Sequence, residues 1–208
     1  MKKLLILTVF GMVLLPIIGG AYNCATTSDS SSGQTVTLVS FPGTLDKITV
    51  SNSESTPRRL DIWDSTTYIG SIVVPARDSR GPYRLATRIA STLKVFMEGA
   101  YMFVTAEYSG GETGATASGH YPYGVRDDVA MNTPYASTGD IIGVIVANWN
   151  TDTGASATIY DYYTAKARVN VPASDTKEFN FDRFRFNTNF NVILEKTNMS
   201  IMLIRREE

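Results

Sequence analysis

Four aspartates stand out, because each recurs at the same place in a pattern that the chain carries twice. Asp64 and Asp161 end the runs Ile62-Trp63-Asp64 and Ile159-Tyr160-Asp161, and Asp78 and Asp175 come shortly after Val74-Pro75-Ala76 and Val171-Pro172-Ala173. A carboxylate at a strand end accepts backbone N–H bonds and closes a turn, with no partner outside the chain. Carboxylates converging from adjacent loops would instead hold calcium, which takes roughly six to eight oxygens. No Asp-x-Asp-x-Asp-Gly loop occurs, so turn capping is the expectation for Asp64, Asp78, Asp161 and Asp175. Calcium is the alternative, and no other cofactor is expected.

The chain is poor in catalytic signatures. His120 is the single histidine, so a histidine metal cluster is excluded and a Ser-His-Asp triad would depend on this one residue. There is no G-x-S-x-G, no H-E-x-x-H, and Gly110-Gly111-Glu112-Thr113-Gly114 lacks the Gly-Lys-Ser/Thr end of a phosphate-binding loop. A carboxylate pair for glycoside hydrolysis is defined in space, and spacing lends it no support. The expectation is a protein that is not an enzyme. Binding is another matter, since His120, Tyr121, Tyr123, Arg126, Asp127 and Asp128 gather aromatic and polar groups in one segment.

The elements that position these residues follow from an internal repeat. Residues 62–99 return as residues 159–196, 97 positions later and without a gap, with ten identities in 38 positions. Chance would give roughly two or three, so the chain is read as a tandem duplication of one supersecondary unit. Short β-rich runs dominate both halves: Thr35–Val39, Lys47–Asn52, Arg59–Trp63, Tyr68–Val74, Tyr83–Ile89, Leu93–Met97 and Tyr101–Tyr108, then Ile141–Ala147, Ala157–Tyr160, Ala165–Val171, Phe179–Phe181, Phe184–Phe186, Phe190–Leu194 and Met199–Ile204. Phenylalanines spaced by two, at Phe179/Phe181 and Phe184/Phe186, share a face that should be core. Pro75 and Pro172 cannot donate to a ladder and should end strands.

The N-terminus differs in kind. Lys2 and Lys3 precede an uncharged segment, residues 4–22, that ends in Gly19-Gly20-Ala21. This pattern fits a secretory signal cut near Ala21, a retained membrane anchor, or lipidation at Cys24. Without Lys2 and Lys3 the chain has 17 basic and 20 acidic residues, and no basic patch calls for nucleic acid. Cys24 is the only cysteine, so no disulfide forms within one chain. The expected organisation is all-β: a signal peptide or anchor at 1–23, a flexible spacer at 24–34, one antiparallel β-sandwich of jelly-roll or Ig-like type at 35–108, a long Gly/Ser/Tyr loop at 109–140, and a second sandwich at 141–208.

Ile-Trp/Tyr-Asp, Val-Pro-Ala, an aromatic/Arg strand, a Leu/Phe-x-Val strand and a final apolar strand, over residues 48–108 and 144–204, form a pattern that resembles small β-sandwich modules of bacteriophage virion accessory proteins. The resemblance implies a structural, non-enzymatic particle component. An exported N-terminus would suit a membrane-containing virus or a cell-surface fibre subunit. Self-association or other structural proteins are the expected partners, with membrane contact through residues 4–22, and a secreted carbohydrate-binding module using Tyr121 and Tyr123 is the alternative.

Overall fold

The computed structural model describes residues 23–28, 32–110, 124–127, 130–135 and 139–206. The N-terminal segment 1–22, where the signal or anchor is expected, lies outside the described residues. The strands are β1 (Asn23–Ser28), β2 (Gln34–Val39), β3 (Gly43–Asn52), β4 (Arg58–Asp64), β5 (Thr67–Val74), β6 (Asp78–Ile89), β7 (Leu93–Met97), β8 (Met102–Gly110), β9 (Gly124–Arg126), β10 (Asn132–Tyr135), β11 (Gly139–Asn148), β12 (Ala155–Asp161), β13 (Thr164–Val171), β14 (Asp175–Phe186), β15 (Phe190–Leu194) and β16 (Met199–Arg206). No helix occurs among the described residues.

These strands form four antiparallel sheets. Sheet A has the order β1-β8-β3-β6 and sheet B the order β2-β7-β4-β5. Sheet C has the order β14-β11-β16-β9 and sheet D the order β10-β15-β12-β13. Shifting every strand number by eight turns A into C, read from its other edge, and B into D. Within each unit only the fourth and fifth strands are joined inside one sheet; every other connection crosses between sheets. That is the jelly-roll order.

The repeat extends to atomic detail. On β4 and β5, Ile62 pairs with Gly70 and Trp63 with Tyr68, leaving Ile69 as a bulge. On β12 and β13, Ile159 pairs with Ala167 and Tyr160 with Ala165, leaving Lys166. Trp63 and Tyr160 thus hold equivalent places beside equivalent bulges. Ser65 and Tyr162 both take left-handed backbone, with φ of 54° and 57°, as do Arg77 and Ser174, with φ of 54° and 51°. The N–H of Ser65 donates to the Thr92 carbonyl at 2.8 Å, and that of Tyr162 to the Asn189 carbonyl at 2.9 Å. At the ends of β3 and β11, buried Asn52 donates to the carbonyls of Thr56, Val74 and Pro75, and Asn148 to those of Thr153, Val171 and Pro172. Pro75 and Pro172 each lie just past the end of a strand.

Three stretches differ from the sequence expectation. The spacer 24–34 contains most of β1, a Ser/Thr-rich strand that pairs with β8. The loop 109–140 contains β9, which pairs with β16, and β10, which pairs with β15. These strands are short and carry little alternation, so nothing local marks them; their partners lie far away in the chain. Phe179–Phe181 and Phe184–Phe186 belong to one strand, β14, whose register against β11 shifts near Gly143.

Two cores result, and one of them is shared. Val144, Val146, Ile201 and Leu203 point from sheet C into the second sandwich. The alternate residues Ile145, Met202 and Ile204 join the core of the first. Sheet C is therefore buried on both faces along β11 and β16, which explains why residues 199–204, apolar except for Ser200, are all buried. β5 contacts all four strands of sheet C, and its residues 69–74 are buried throughout.

Backbones meet closely at this joint. A Cβ on Gly124 would lie 2.2 Å from the Ile69 carbonyl oxygen, and one on Gly70 would lie 2.8 Å from the Met202 Cβ. Gly124→Ala is expected to cost about 1–3 kcal/mol, the range for forced overpacking, in chemical denaturation. Wild-type stability in that variant would contradict the close approach of β9 to β5.

Candidate assembly surface

The joint between the units is built from β5, β6 and the outer face of sheet C. Thr176 at the start of β14 accepts the Val73 N–H on Oγ1 at 2.6 Å and donates to the Val73 carbonyl at 3.1 Å. One hydroxyl therefore satisfies a donor and an acceptor of β5, an edge strand of sheet B. Arg80 donates from Nε and Nη2 to Asp175 Oδ1 at 3.0 and 2.9 Å, and from Nη1 to Asp78. Two repeated aspartates, 97 residues apart, thus meet on one guanidinium. The Asp78 carboxyl is held below its ordinary range, first by the Ser79 backbone N–H and then by Arg80.

A second polar cluster sits beside it. Asp61 is 3% exposed on β4. Ser71 donates to its Oδ1 at 2.6 Å, and the Tyr68 and Ser71 hydroxyls are hydrogen-bonded at 2.6 Å. Arg59 Nε lies 3.2 Å from Oδ1 and Arg126 Nη1 lies 3.4 Å from Oδ2. Arg59 stacks on the Trp149 ring at 4.7 Å and Arg126 on the Tyr68 ring at 5.3 Å. Burial pushes the Asp61 carboxyl up, against the lowering pull of Ser71, Arg59 and Arg126. Burial likewise raises the Tyr68 phenol, which stays a donor.

The second unit presents the same edge uncovered. Register places Tyr83 opposite Ile48 and Phe179 opposite Val144, making the two equivalent; Thr87 and Phe184 correspond in the same way. Tyr83, Leu85 and Thr87 are buried, Tyr83 and Leu85 in the core that Ile145, Met202 and Ile204 of the neighbouring unit complete. Their counterparts differ: Phe179 is 47% exposed, and Phe181 and Phe184 are half-buried. Phe179, Phe181, Phe184, Phe186 and Phe190 form a continuous file of rings, with centroids 6.0, 5.3, 5.1 and 4.9 Å apart, running from the surface into the second core. On β13 the counterparts of buried Ser71 and Val73 are exposed Arg168 and Asn170. Lys177, the counterpart of Arg80, is exposed and has no acidic partner among the described residues.

The residues singled out from the sequence fall into separate places. Asp64 accepts the backbone N–H groups of Ala90, Ser91 and Thr92, and Asp161 those of Asn187 and Thr188. Asp78 and Asp175 converge on Arg80. Among the described residues no group of three or more His, Cys, Asp or Glu is arranged to hold a metal. Arg126 reaches Asp61 in the joint, and Asp127 accepts the Asn198 N–H at 3.0 Å. His120, Tyr121, Tyr123 and Asp128 lie outside the described residues. Sequence reading missed Arg59, Asp61, Lys177 and the open Phe179 edge. The signal was available in positions where the repeats disagree in polarity, such as Val73 against Asn170.

No protein-family model matches the chain, and no curated protein matches it in sequence. Among solved structures, the major capsid protein P2 of bacteriophage PM2 aligns over 88% of this chain and 95% of its own, at 8% identity and a TM-score of 0.40. Vicilin from Solanum lycopersicum (tomato) aligns over 90% and 76%, at 9% identity and a TM-score of 0.22. At these scores neither likeness bears on function, and the fold rests on the strand order itself.

Because the Asp61 carboxyl is raised in the fold, its favourable contribution to stability is complete below its unfolded pKa, about 3.9. That contribution is lost as pH rises through the folded value. Wild type should therefore gain stability relative to Asp61→Asn as pH falls from neutral into the weakly acidic range, read as the difference in thermal midpoints. A relative loss on acidification would mean that the two arginine pairs outweigh burial.

Proposed function

We propose that the protein is a non-catalytic structural subunit that acts by self-association. The observation supporting this reading is the uncovered edge: the strand edge of the first unit is closed by the outer face of sheet C, and the equivalent edge of the second unit is open, with Phe179 exposed. The corresponding outer face in the first unit is that of sheet A. A second copy would offer it, with exposed Phe103 on that face and Asp78 at its margin.

The internal joint pairs Arg80 with Asp175, and the same geometry between copies pairs Lys177 with Asp78. Sheet A carries Thr49, Thr105 and Glu107 where sheet C carries Ile145, Met202 and Ile204. A joint between copies is therefore more polar than the internal one, as suits folded subunits that meet after synthesis. An edge meeting a different face is a heterologous contact, and it closes into a ring or runs on as a filament. Residues 4–22 supply the export signal or anchor that would place such an assembly at a surface. The repeated strand pattern and its resemblance to virion modules agree with this role.

Native mass spectrometry and light scattering across concentrations test the proposal. Oligomers are expected, with Phe179→Ser and Lys177→Asp each weakening association at least about fivefold. Combining Lys177→Asp with Asp78→Lys should restore part of the loss. A strictly monomeric chain, or an oligomer indifferent to Phe179→Ser and Lys177→Asp, would overturn it.

A further inference from the structure

The outer face of sheet B carries a groove of about 550 Å³, within the range of roughly 300–1,000 Å³ usual for small-ligand clefts. Two cross-strand rows make its floor. Thr35, Phe96 and Asp61 are successive register partners in one, and Lys94 and Trp63 in the next. Arg59 from β4 and Arg126 from β9 flank the rows.

Three features distinguish this groove from a furrow left where two units meet. Arg59, Arg126 and Lys94 line it; Asp61 pairs with both arginines, Asp127 pairs with Arg126 at 3.2 Å, and Glu98 lies beside Asp61, which leaves Lys94 as the lining cation without an ion pair among the described residues. Asp61 is buried and already engaged by Ser71, Arg59 and Arg126, so it orients the guanidiniums and is not itself open to a ligand. Both guanidiniums are also stacked on aromatic rings, which removes much of the ordering cost of binding. Lys94 is half-exposed and has no acidic partner among the described residues; it takes no part in the joint.

The second unit acts as an internal control. At the positions of Arg59, Asp61, Lys94 and Phe96 it has Ser156, Thr158, Asn191 and Ile193, none of them charged. The cation that lies opposite Thr158 there, Arg168 in place of Ser71, is held by Ser156 and Glu195, and the unit folds without a counterpart of Lys94.

We propose that the groove binds an acidic saccharide. Its carboxylate would meet Lys94 and the flanking guanidiniums, where charge-assisted bonds are strong. Trp63 and Phe96, both half-buried, offer apolar faces to the sugar ring. Thr35, Ser65 and Thr66 line the same groove and supply hydroxyls for ring hydroxyls. A simple inorganic anion would use the cations and leave the aromatic faces idle.

Calorimetric titration of the full chain with trigalacturonate, with maltotriose as its neutral counterpart and with inorganic phosphate as competitor, tests the inference. Trigalacturonate should bind and maltotriose should not. Lys94→Ala should weaken binding about tenfold, with thermal midpoint and oligomeric state unchanged, and Phe96→Ala should weaken it as well. No binding of trigalacturonate, equal binding of maltotriose, displacement by equimolar phosphate, or indifference to Lys94→Ala would each overturn the proposal.

Discussion

One sheet with two buried faces holds this molecule together. Sheet C sends Val144, Val146, Ile201 and Leu203 into its own sandwich and Ile145, Met202 and Ile204 into the neighbouring core. An antiparallel sheet ordinarily keeps one face wet. Burying the second face ties each unit to the other. The joint is finished with polar groups that are themselves satisfied: the Thr176 hydroxyl on Val73, and Arg80 between Asp78 and Asp175.

That constraint makes the two copies of the unit unequal. What was one surface before duplication is now core in one place and solvent-facing in another. The first unit has Gly70, Ser71 and Val73 under sheet C; the second has Ala167, Arg168 and Asn170 at the same positions. Sheet A, the counterpart of sheet C, has Thr49, Thr105 and Glu107 on its outer face. The phenylalanine file on β14 runs against this trend. Its outer end remains apolar and exposed, and that exception motivates the assembly reading.

Much of the fold could be read from the sequence because the repeat is ungapped where it matters most. The 97-residue offset carries β4, β5, the start of β6 and β7 directly onto β12, β13, β14 and β15, including both bulges and both left-handed turns. β3 and β11 are related by 96 residues and the bulges of β6 and β14 fall differently, so an ungapped comparison blurs the surfaces that form the joint. β1, β9 and β10 are short, and two of them sit in Ser/Thr/Gly-rich surroundings that read as spacer or loop. The aspartates were visible by their recurrence. What distinguishes them, turn caps for Asp64 and Asp161 and a shared arginine for Asp78 and Asp175, depends on which strands lie side by side across the joint.

The proposed self-association uses the internal joint as a template a second time, between copies. Electron cryomicroscopy of the assembled protein addresses it directly. In the proposed assembly the β13–β14 edge of each subunit, with Phe179, lies against sheet A of a neighbour, with Lys177 beside that neighbour's Asp78. An assembly in which the β13–β14 edge faces solvent, or meets the same edge across a twofold axis, would contradict it.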